Sequence, residues 1–325
     1  MNFYASRAFL DAAASVYFKE RAVAIEDVRI GDDVLRLLVV DDKTVITRLL
    51  FLDFHQPLAA DEIKQPVRPG VYAANVSRGV IPVEAWDETL HRNMVLAPLV
   101  DWSRFASFED YQNHLLERHR GLMRDRERRC RAMASKHGEL TFAIDDANVD
   151  VLQKARQWKG DQLREIGFPD YFDNPQTLEF LQTLRARGHL VSSTLRAGGK
   201  LVSLWIGFIH EGSWSGWIFA YDPAFKKYSP GHQLLIRMLE ASCRLGHHEF
   251  DFSGCAQDYK LLYATHGRLV GDIGTPSLAR SLVLSARNVM RARAPQLFAL
   301  ALRVKALSSS WGKRGLSKPS SPSER

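Results

Sequence analysis

Short apolar runs, many rich in β-branched and aromatic residues, recur along the chain and are typical of β-strands. They predict strands at residues 34–40, 45–52, 71–76, 94–100, 139–144, 189–195, 201–209, 214–221 and 248–252. Gly198-Gly199 lies between two of these runs and is a strong hairpin signal. We therefore expect three consecutive antiparallel strands over 189–221, and a last strand at 248–252.

Helical spacing of apolar residues predicts the remaining elements. Helices are expected over residues 1–27, 108–136, 149–166, 177–187 and 230–245. Ser107 and Asp110 resemble a capping box ahead of the second helix. That helix carries eight Lys and Arg residues, so it either contacts an anionic partner or is a solvated connecting helix with ion pairs such as Asp125 with Arg129. The mixture of elements predicts an α/β or α+β protein.

The length of 325 residues exceeds a usual single core and favours two domains. Cys130, Cys243 and Cys255 lack the spacing of a disulfide framework or a zinc site, which fits a reducing cytoplasm. The N-terminal residues do not resemble a signal peptide, and no apolar run is long enough to span a bilayer. We therefore expect a cytoplasmic protein.

The basic charge is concentrated in the last 50 residues. Residues 276–325 contain 10 Lys and Arg and 1 acidic residue, which leaves 34 basic and 36 acidic residues elsewhere. The nearly neutral body gives no support for DNA binding. The tail alternates apolar and basic positions, so it either contacts an anionic membrane surface or a partner, or packs on the body. Its Ser/Pro-rich end, 316–325, is expected to be disordered.

The segment 221–236 joins the last of the three strands to a helix, and its composition suits a phosphate. A helix N-terminus offers unpaired backbone N–H groups and partial positive charge. Glycine permits close backbone approach, and proline suits the first helical turn. The alternative is that the segment is simply a turn and a helix start. The candidate residues for binding a phosphate-containing ligand are Tyr221, Lys226, Lys227, Tyr228, Ser229, Pro230, Gly231 and His232.

One set of motifs consists of the Arg-rich helix, Trp158-Lys-Gly160 and the hairpin Thr194-Leu-Arg-Ala-Gly-Gly-Lys-Leu. More specific is the combination of Tyr221-Asp-Pro and Tyr228-Ser-Pro-Gly231 with Asp251-Phe-x-x-Gly254 and Tyr259-Lys260. In these motifs, residues from about 108 to 267 resemble the GNAT acyltransferase superfamily, and more narrowly its exopolysaccharide or cellulose-biosynthesis (CelD-like) branch. Residues 1–106 match only in general character.

The resemblance implies tandem GNAT-like halves, each a mixed, mostly antiparallel sheet flanked by helices. The implied divisions are a degenerate half over 1–106, a connecting helix and strand over 107–145, an acyltransferase domain over 146–275 and the tail over 276–325. It also implies an acyl-coenzyme A donor, acetyl-CoA or another, with its pantetheine along a splayed strand at 217–221 and its phosphates at 226–232. The segment has one glycine, whereas the usual GNAT turn has an Arg/Gln-x-x-Gly-x-Gly/Ala pattern. The identity of the acyl donor therefore stays open.

Acyl transfer requires a base for the acceptor, donors for the oxyanion and an acid for the leaving thiolate. Asp251 is our candidate base or acceptor-binding residue, and Tyr259 and Lys260 complete the candidate catalytic set. Asp251 is alternatively a turn carboxylate, and Tyr259 a core aromatic residue. Asp53, His55 and His91 are conceivable as a second cluster, but scattered histidines are more often structural, as we also expect for His247 and His248.

We therefore expect an N- or O-acyltransferase whose acceptor is a small molecule or glycan, such as a saccharide or amino-sugar precursor, and whose tail can bring it to the inner membrane face. Two alternatives are a Fem-like transferase that uses an aminoacyl-tRNA, and a degenerate acyl-CoA-binding scaffold. Asp251-x-x-Gly254 also fits a GTPase motif, but the chain lacks a P-loop sequence. No set of residues has convincing metal-ligand spacing, so no metal is expected.

Overall fold

A computed structural model describes residues 2–63, 65–91, 93–146, 150–254 and 256–276 of the chain. The predicted basic tail and its Ser/Pro-rich end lie, apart from residue 276, outside the described residues.

The strands of the described residues form two sheets. They are β1 (Val23–Ile30), β2 (Asp33–Val40), β3 (Thr44–Ile46), β4 (Val67–Pro69), β5 (Tyr72–Pro82), β6 (Met94–Asp101), β7 (Leu140–Ile144), β8 (Val191–Ala197), β9 (Lys200–His210), β10 (Ser213–Tyr221), β11 (Glu249–Asp251) and β12 (His266–Gly274). The smaller sheet has the order β3-β2-β1-β4, and the larger has the order β5-β12-β6-β11-β10-β9-β8-β7. Each is antiparallel apart from one parallel pair, β1 with β4 and β10 with β11.

Helices cover both faces of the larger sheet. They are α1 (Arg7–Tyr17), α2 (Phe108–His137), α3 (Val151–Glu165), α4 (Pro175–Ala186), α5 (Pro230–Arg244) and α6 (Asp258–Tyr263). Apolar side chains of α1, α3 and α4 share one core with residues such as Leu204, Ile206 and Phe208 of β9. Those of α2 and α5 share a second core with Trp205 of the same strand. These two mixed sheets with flanking helices confirm the predicted α+β class.

Helix α2 begins as expected but bends near its middle. The Ser107 hydroxyl accepts a hydrogen bond from the Asp110 amide at 3.2 Å. His119 leaves helical geometry at φ −138° and ψ 36° and kinks the helix. The predicted ion pair between Asp125 and Arg129 is present, with 2.6 Å between Oδ2 and Nε.

The expected helix over 1–27 was wrong beyond its first half. Helix α1 ends at Tyr17, and β1 begins at Val23. The apolar residues from Val23 onward pair in register with β2, so cross-strand pairing outweighs the helical spacing read from the sequence. The predicted strand over 45–52 is also shorter, since β3 stops at Ile46.

The strand predicted at residues 248–252 is present as β11, but it is not the last strand of the described chain. Strand β12 follows at His266–Gly274, where two internal glycines and two charged residues hide the strand pattern. It forms because β5 and β6 pair with it on either side. Strand β6 therefore lies between β12 and β11, and the larger sheet continues across the domain boundary that we predicted at residue 106. The four-part division of the chain stays a prediction.

Candidate active site

Strands β10 and β11 run side by side for only three residues and then separate. Ser213–Ser215 pair with Glu249–Asp251, after which β11 ends while β10 continues to Tyr221 beside β9. A β-bulge between Gly216 and Ile218 marks the point of separation. This arrangement opens a cleft within the larger sheet.

The cleft has a cavity volume of about 250 Å³ and is lined from both faces of the sheet. Trp205 and Phe219 belong to the core beneath α2 and α5, whereas Phe51 and Trp217 pack with the opposite core. Their rings form apolar walls, and Lys260 adds a cation. Such a lining suits a long, mostly apolar chain that carries a few polar groups.

The turn before α5 lies next to one wall of the cleft, because Phe219 lines the cleft and packs against Gly231. Asp222 accepts a hydrogen bond from the Ala224 amide at 2.9 Å and caps the 3₁₀ turn over Pro223–Tyr228. Ser229 has a left-handed backbone with φ 53°, and Pro230 starts α5. A strand, a tight turn and a helix N-terminus follow each other as the sequence predicted.

Gly231 is required by packing at this turn. A Cβ atom there would lie 1.7 Å from Cζ of Phe219, far inside van der Waals contact. The glycine therefore brings α5 close to the cleft wall, and the expected close approach to a phosphate is not needed to explain it. Pro230 and Tyr228 are buried, and Tyr221, Ser229 and His232 are half-buried. Lys226 and Lys227 are exposed to solvent.

Cations surround the N-terminus of α5. Arg129 on α2 donates to the Lys227 carbonyl at 3.0 Å, within a turn that also exposes Lys226. Burial and, next, the charges of Arg126 and Arg129 lower the pKa of His232 to about 3. The arginine charges, which add to the effect of burial on His232, also stabilise an anion bound at the same place. The sequence pointed to the helix that carries these arginines, but not to their contact with the turn.

Asp251 lies at the end of β11 and is almost fully buried, with 2% of its surface exposed. Its Oδ1 atom accepts a hydrogen bond from the Ser253 amide at 2.7 Å, and its Oδ2 lies 3.9 Å from Nη2 of Arg268. Burial raises the pKa of Asp251 to about 7, an effect that Arg268 opposes and Glu249 reinforces. A carboxyl group with this pKa exchanges a proton near neutral pH.

Lys260 and Tyr259 approach the cleft from α6. Lys260 is buried and donates to the Ser253 carbonyl, in the loop that follows Asp251. Tyr259 lines the same cleft, and its ring lies edge-on to His232 at 6.1 Å between centroids. The structure therefore brings the three predicted catalytic residues to one loop-and-helix segment beside the cleft.

Sequence reasoning missed a hydrogen-bonded chain that the N-terminal segment supplies. Trp217 Nε1 donates to the Tyr4 hydroxyl at 3.0 Å, and this hydroxyl donates to Asp53 Oδ2 at 3.0 Å. Burial raises the pKa of Asp53 despite the opposing effects of Tyr4 and Lys260. Asp53 was noted in the sequence, but no pattern there joins it to Tyr4, 49 positions away, or to Trp217, which is farther still.

A second cavity, of about 170 Å³, lies beside Asp251 on the other side of this chain. Ser213, Ser215 and Glu249 line it, and Arg268 pairs there with Glu249 at 3.0 and 3.1 Å. Tyr4 also lines this second cavity, and its hydroxyl is hydrogen-bonded to Asp53 and Trp217, which line the cleft. Asp53 thus lines the apolar cleft and Asp251 lines the polar cavity, and Tyr4 lies between the two.

Of the other histidines noted in the sequence, His55 and His247 lie in structural surroundings, whereas His248 lines the polar cavity beside Asp251. His55 is buried, its Nε2 lies 3.1 Å from the Thr47 carbonyl, and burial lowers its pKa to about 4. His247 contacts the Ser242 hydroxyl at 3.1 Å. Over the residues that the structure covers, no group of three or more His, Cys, Asp or Glu is placed to hold a metal ion. None of the described helices is long and apolar enough to cross a membrane.

Comparison with known families supports an acyltransferase. Residues 118–261 match the family model for the acetyltransferase (GNAT) domain. The match runs from the kink in α2 into α6 and includes the turn before α5, the three candidate catalytic residues and the cleft lining apart from Leu50, Phe51 and Asp53. It supports the GNAT superfamily for this part of the chain, an acetyltransferase type of activity and an acyl-CoA co-substrate. No curated protein matches the chain.

Solved structures resemble the chain only distantly. The C-terminal domain of a protein assigned as a lysylphosphatidylglycerol synthetase from Agrobacterium fabrum has 11% identity and a TM-score of 0.46, over 88% of this chain and 94% of that one. A GCN5-related N-acetyltransferase from Kribbella flavida has 12% identity and a TM-score of 0.34, over 86% and 99%. A tandem GNAT protein from the clavulanic acid biosynthesis pathway has 10% identity and a TM-score of 0.36, over 82% and 88%. Likeness at this level carries no argument for a substrate.

Proposed function

We propose that the protein transfers an acyl group, most simply acetyl, from acyl-CoA to an amine or hydroxyl. One observation carries the proposal. Phe219 lines the cleft between β10 and β11 and packs against Gly231 at the start of α5, where cations lie nearby, within the segment that matches a GNAT domain. An apolar cleft next to an anion site suits a ligand with a long arm and a diphosphate.

In this proposal the donor phosphates bind at the start of α5. Lys226 and Lys227 are exposed there, and Arg129 and Arg126 make the surroundings of His232 positive. The pantetheine arm lies in the cleft along β10, and the thioester reaches the region of Asp53 and Lys260.

The chemistry is direct transfer at the thioester carbon. The acceptor nitrogen or oxygen attacks this carbon and gives its proton to Asp251, whose pKa of about 7 suits a base at neutral pH. The carbon–sulfur bond then breaks, and the coenzyme leaves as a thiolate that takes up a proton. Lys260, buried at the same loop, stabilises the negative charge that develops, and Tyr259 shapes the cleft beside it.

The acceptor enters through the polar cavity beside Asp251 in this proposal. Its lining of serine hydroxyls, carboxylates and an arginine suits a small molecule rich in hydroxyl or amino groups. The sequence resemblance to the CelD-like branch favours a saccharide or amino-sugar precursor. The basic residues of 276–325 would place the enzyme at the inner membrane face.

Calorimetric titration of the full chain with CoA and acetyl-CoA tests the donor site. We expect binding that weakens about 10-fold in the Lys226→Glu/Lys227→Glu variant, because two attractive charges become repulsive beside the phosphates. The matched control is Lys154→Glu/Arg156→Glu, which reverses two exposed cations on α3. Failure of the wild-type chain to bind either ligand would refute the proposal.

Titration with an aminoacyl-tRNA and a thiol-release assay complete the test. Release of free CoA from acetyl-CoA is followed across a panel of amines, amino sugars and glycans, and at least one acceptor is expected to stimulate it. Donor binding without stimulation by any acceptor would favour a scaffold. Binding of the aminoacyl-tRNA but not of CoA would favour a Fem-like transferase.

A further inference from the structure

Trp205 lines the cleft, and its indole N–H has no hydrogen-bond partner among the described residues. Trp205 is 3% exposed and lines the cleft between β10 and β11. Its Nε1 atom is buried and makes no hydrogen bond there. A buried donor without a partner is costly and therefore calls for an explanation.

Other tryptophans of the described chain satisfy the same group. Trp102 donates from Nε1 to the Ser242 hydroxyl at 3.0 Å, and Trp217 donates to the Tyr4 hydroxyl at 3.0 Å. Trp217 lines the same cleft as Trp205, so the cleft does not generally deprive indole groups of partners. The lack of a partner for the Trp205 N–H therefore comes from the local surroundings of Trp205.

That position is built by the neighbouring backbone. A Cβ atom on Gly216 would lie 1.5 Å from Nε1 of Trp205, so the indole occupies space that a side chain would otherwise take. Gly216 begins the bulge at which β10 leaves β11. The Phe219 and Phe250 rings pack around the indole, with centroid separations of 5.4 and 6.2 Å. The N–H is thus held at the point where the cleft opens.

We propose that Trp205 donates this hydrogen bond to a carbonyl oxygen of the bound acyl-pantetheine arm. The inference rests on the proposed use of acyl-CoA. The arm has two amide carbonyls and one thioester carbonyl, and each needs a hydrogen-bond donor when it enters an apolar cleft with few donors. The phosphates are assigned instead to the cations at the turn before α5.

The test compares Trp205→Phe with the wild-type chain by calorimetric titration with CoA and with acetyl-CoA. Phenylalanine keeps an aromatic ring and removes the donor, so we expect about 10-fold weaker binding. Equal weakening for both ligands assigns the bond to a pantetheine amide, and weakening confined to acetyl-CoA assigns it to the thioester. The control is Trp102→Phe, whose indole is paired away from the cleft and whose donor affinity should not change.

A second measurement needs no variant. The ¹H and ¹⁵N signals of the Trp205 indole group are followed in the wild-type protein during the same titrations, and a downfield proton shift is expected on binding. Wild-type binding with an unmoved indole signal, or with equal affinity in Trp205→Phe, would overturn this inference and leave the acyltransferase proposal standing. Absence of binding by the wild-type chain would overturn both.

Discussion

Replacing Gly231 by alanine separates two explanations for the glycine at the start of α5. Contact with Phe219 Cζ would occur at 1.7 Å, whereas ordinary contacts begin at 3.4 Å, so the ring or the helix must give by about 1.7 Å. Overpacking of this kind costs about 2 kcal/mol, which corresponds to a fall of roughly 3 °C in Tm for a chain of this length. Gly121→Ala is the matched control, because that helical glycine has open space beside it and should tolerate the methyl group.

The assay is a double-mutant cycle of Gly231→Ala with Phe219→Ala, measured by thermal unfolding and by CoA affinity. If packing requires the glycine, Gly231→Ala should hardly lower the free energy of unfolding once the Phe219 ring is removed. The affinity for CoA should then depend only weakly on residue 231. The reasoning is refuted if Gly231→Ala weakens CoA binding equally in both backgrounds. That result would mean that the phosphates themselves need the glycine.

Four further predictions concern charged groups. Asp251→Asn should lower turnover about 10²- to 10⁴-fold and should remove an inflection in the pH profile of kcat/KM near the Asp251 pKa of about 7. The affinity for CoA should stay within a few-fold of the wild-type value. Loss of CoA affinity would instead assign Asp251 a structural role. Because the folded carboxyl keeps its proton above the normal pKa of 3.8, the free energy of unfolding should fall as pH rises from about 4 to 7, and Asp251→Asn should flatten this slope. Arg36→Leu leaves the fully buried Asp27 unpaired and should cost about 3–5 kcal/mol in urea unfolding, of which Asp27→Asn restores a part; an unchanged stability would contradict it. Arg129→Met removes the contact with the turn before α5 and should weaken CoA binding several-fold in calorimetry, whereas Arg128→Met, which shares the same acidic partner, should not.

Local sequence signals predicted the part of the fold that lies close together along the chain. Strands β8, β9 and β10 follow from apolar runs separated by glycine turns, and α5 follows from Pro230 and a regular apolar stripe. The candidate catalytic segment from Asp251 to Lys260 is also local, since one loop joins β11 to α6. These features depend on neighbours within a few residues, which a sequence displays directly.

Features that depend on distant pairing were not predicted. Strand β12 has little strand character of its own and owes its form to β5 and β6. The hydrogen bonds from Trp217 to Tyr4 and from Tyr4 to Asp53 join three segments that are remote in sequence. The unpaired position of the Trp205 indole likewise depends on the bulge at Gly216. Only the assembled sheet brings such residues together.

The position of β6 between β11 and β12 has a consequence for how the molecule can be made. Phe250 pairs with Val100, and His266 with Leu99, so the sheet closes only when segments about 150 residues apart meet. On a ribosome, β6 must wait for most of the chain to emerge before it gains these partners. A fragment cut to residues 118–261 would lack β6 and β12 and leave an edge of β11 unpaired. We therefore expect that fragment to aggregate, and the N-terminal residues to be indispensable to the fold.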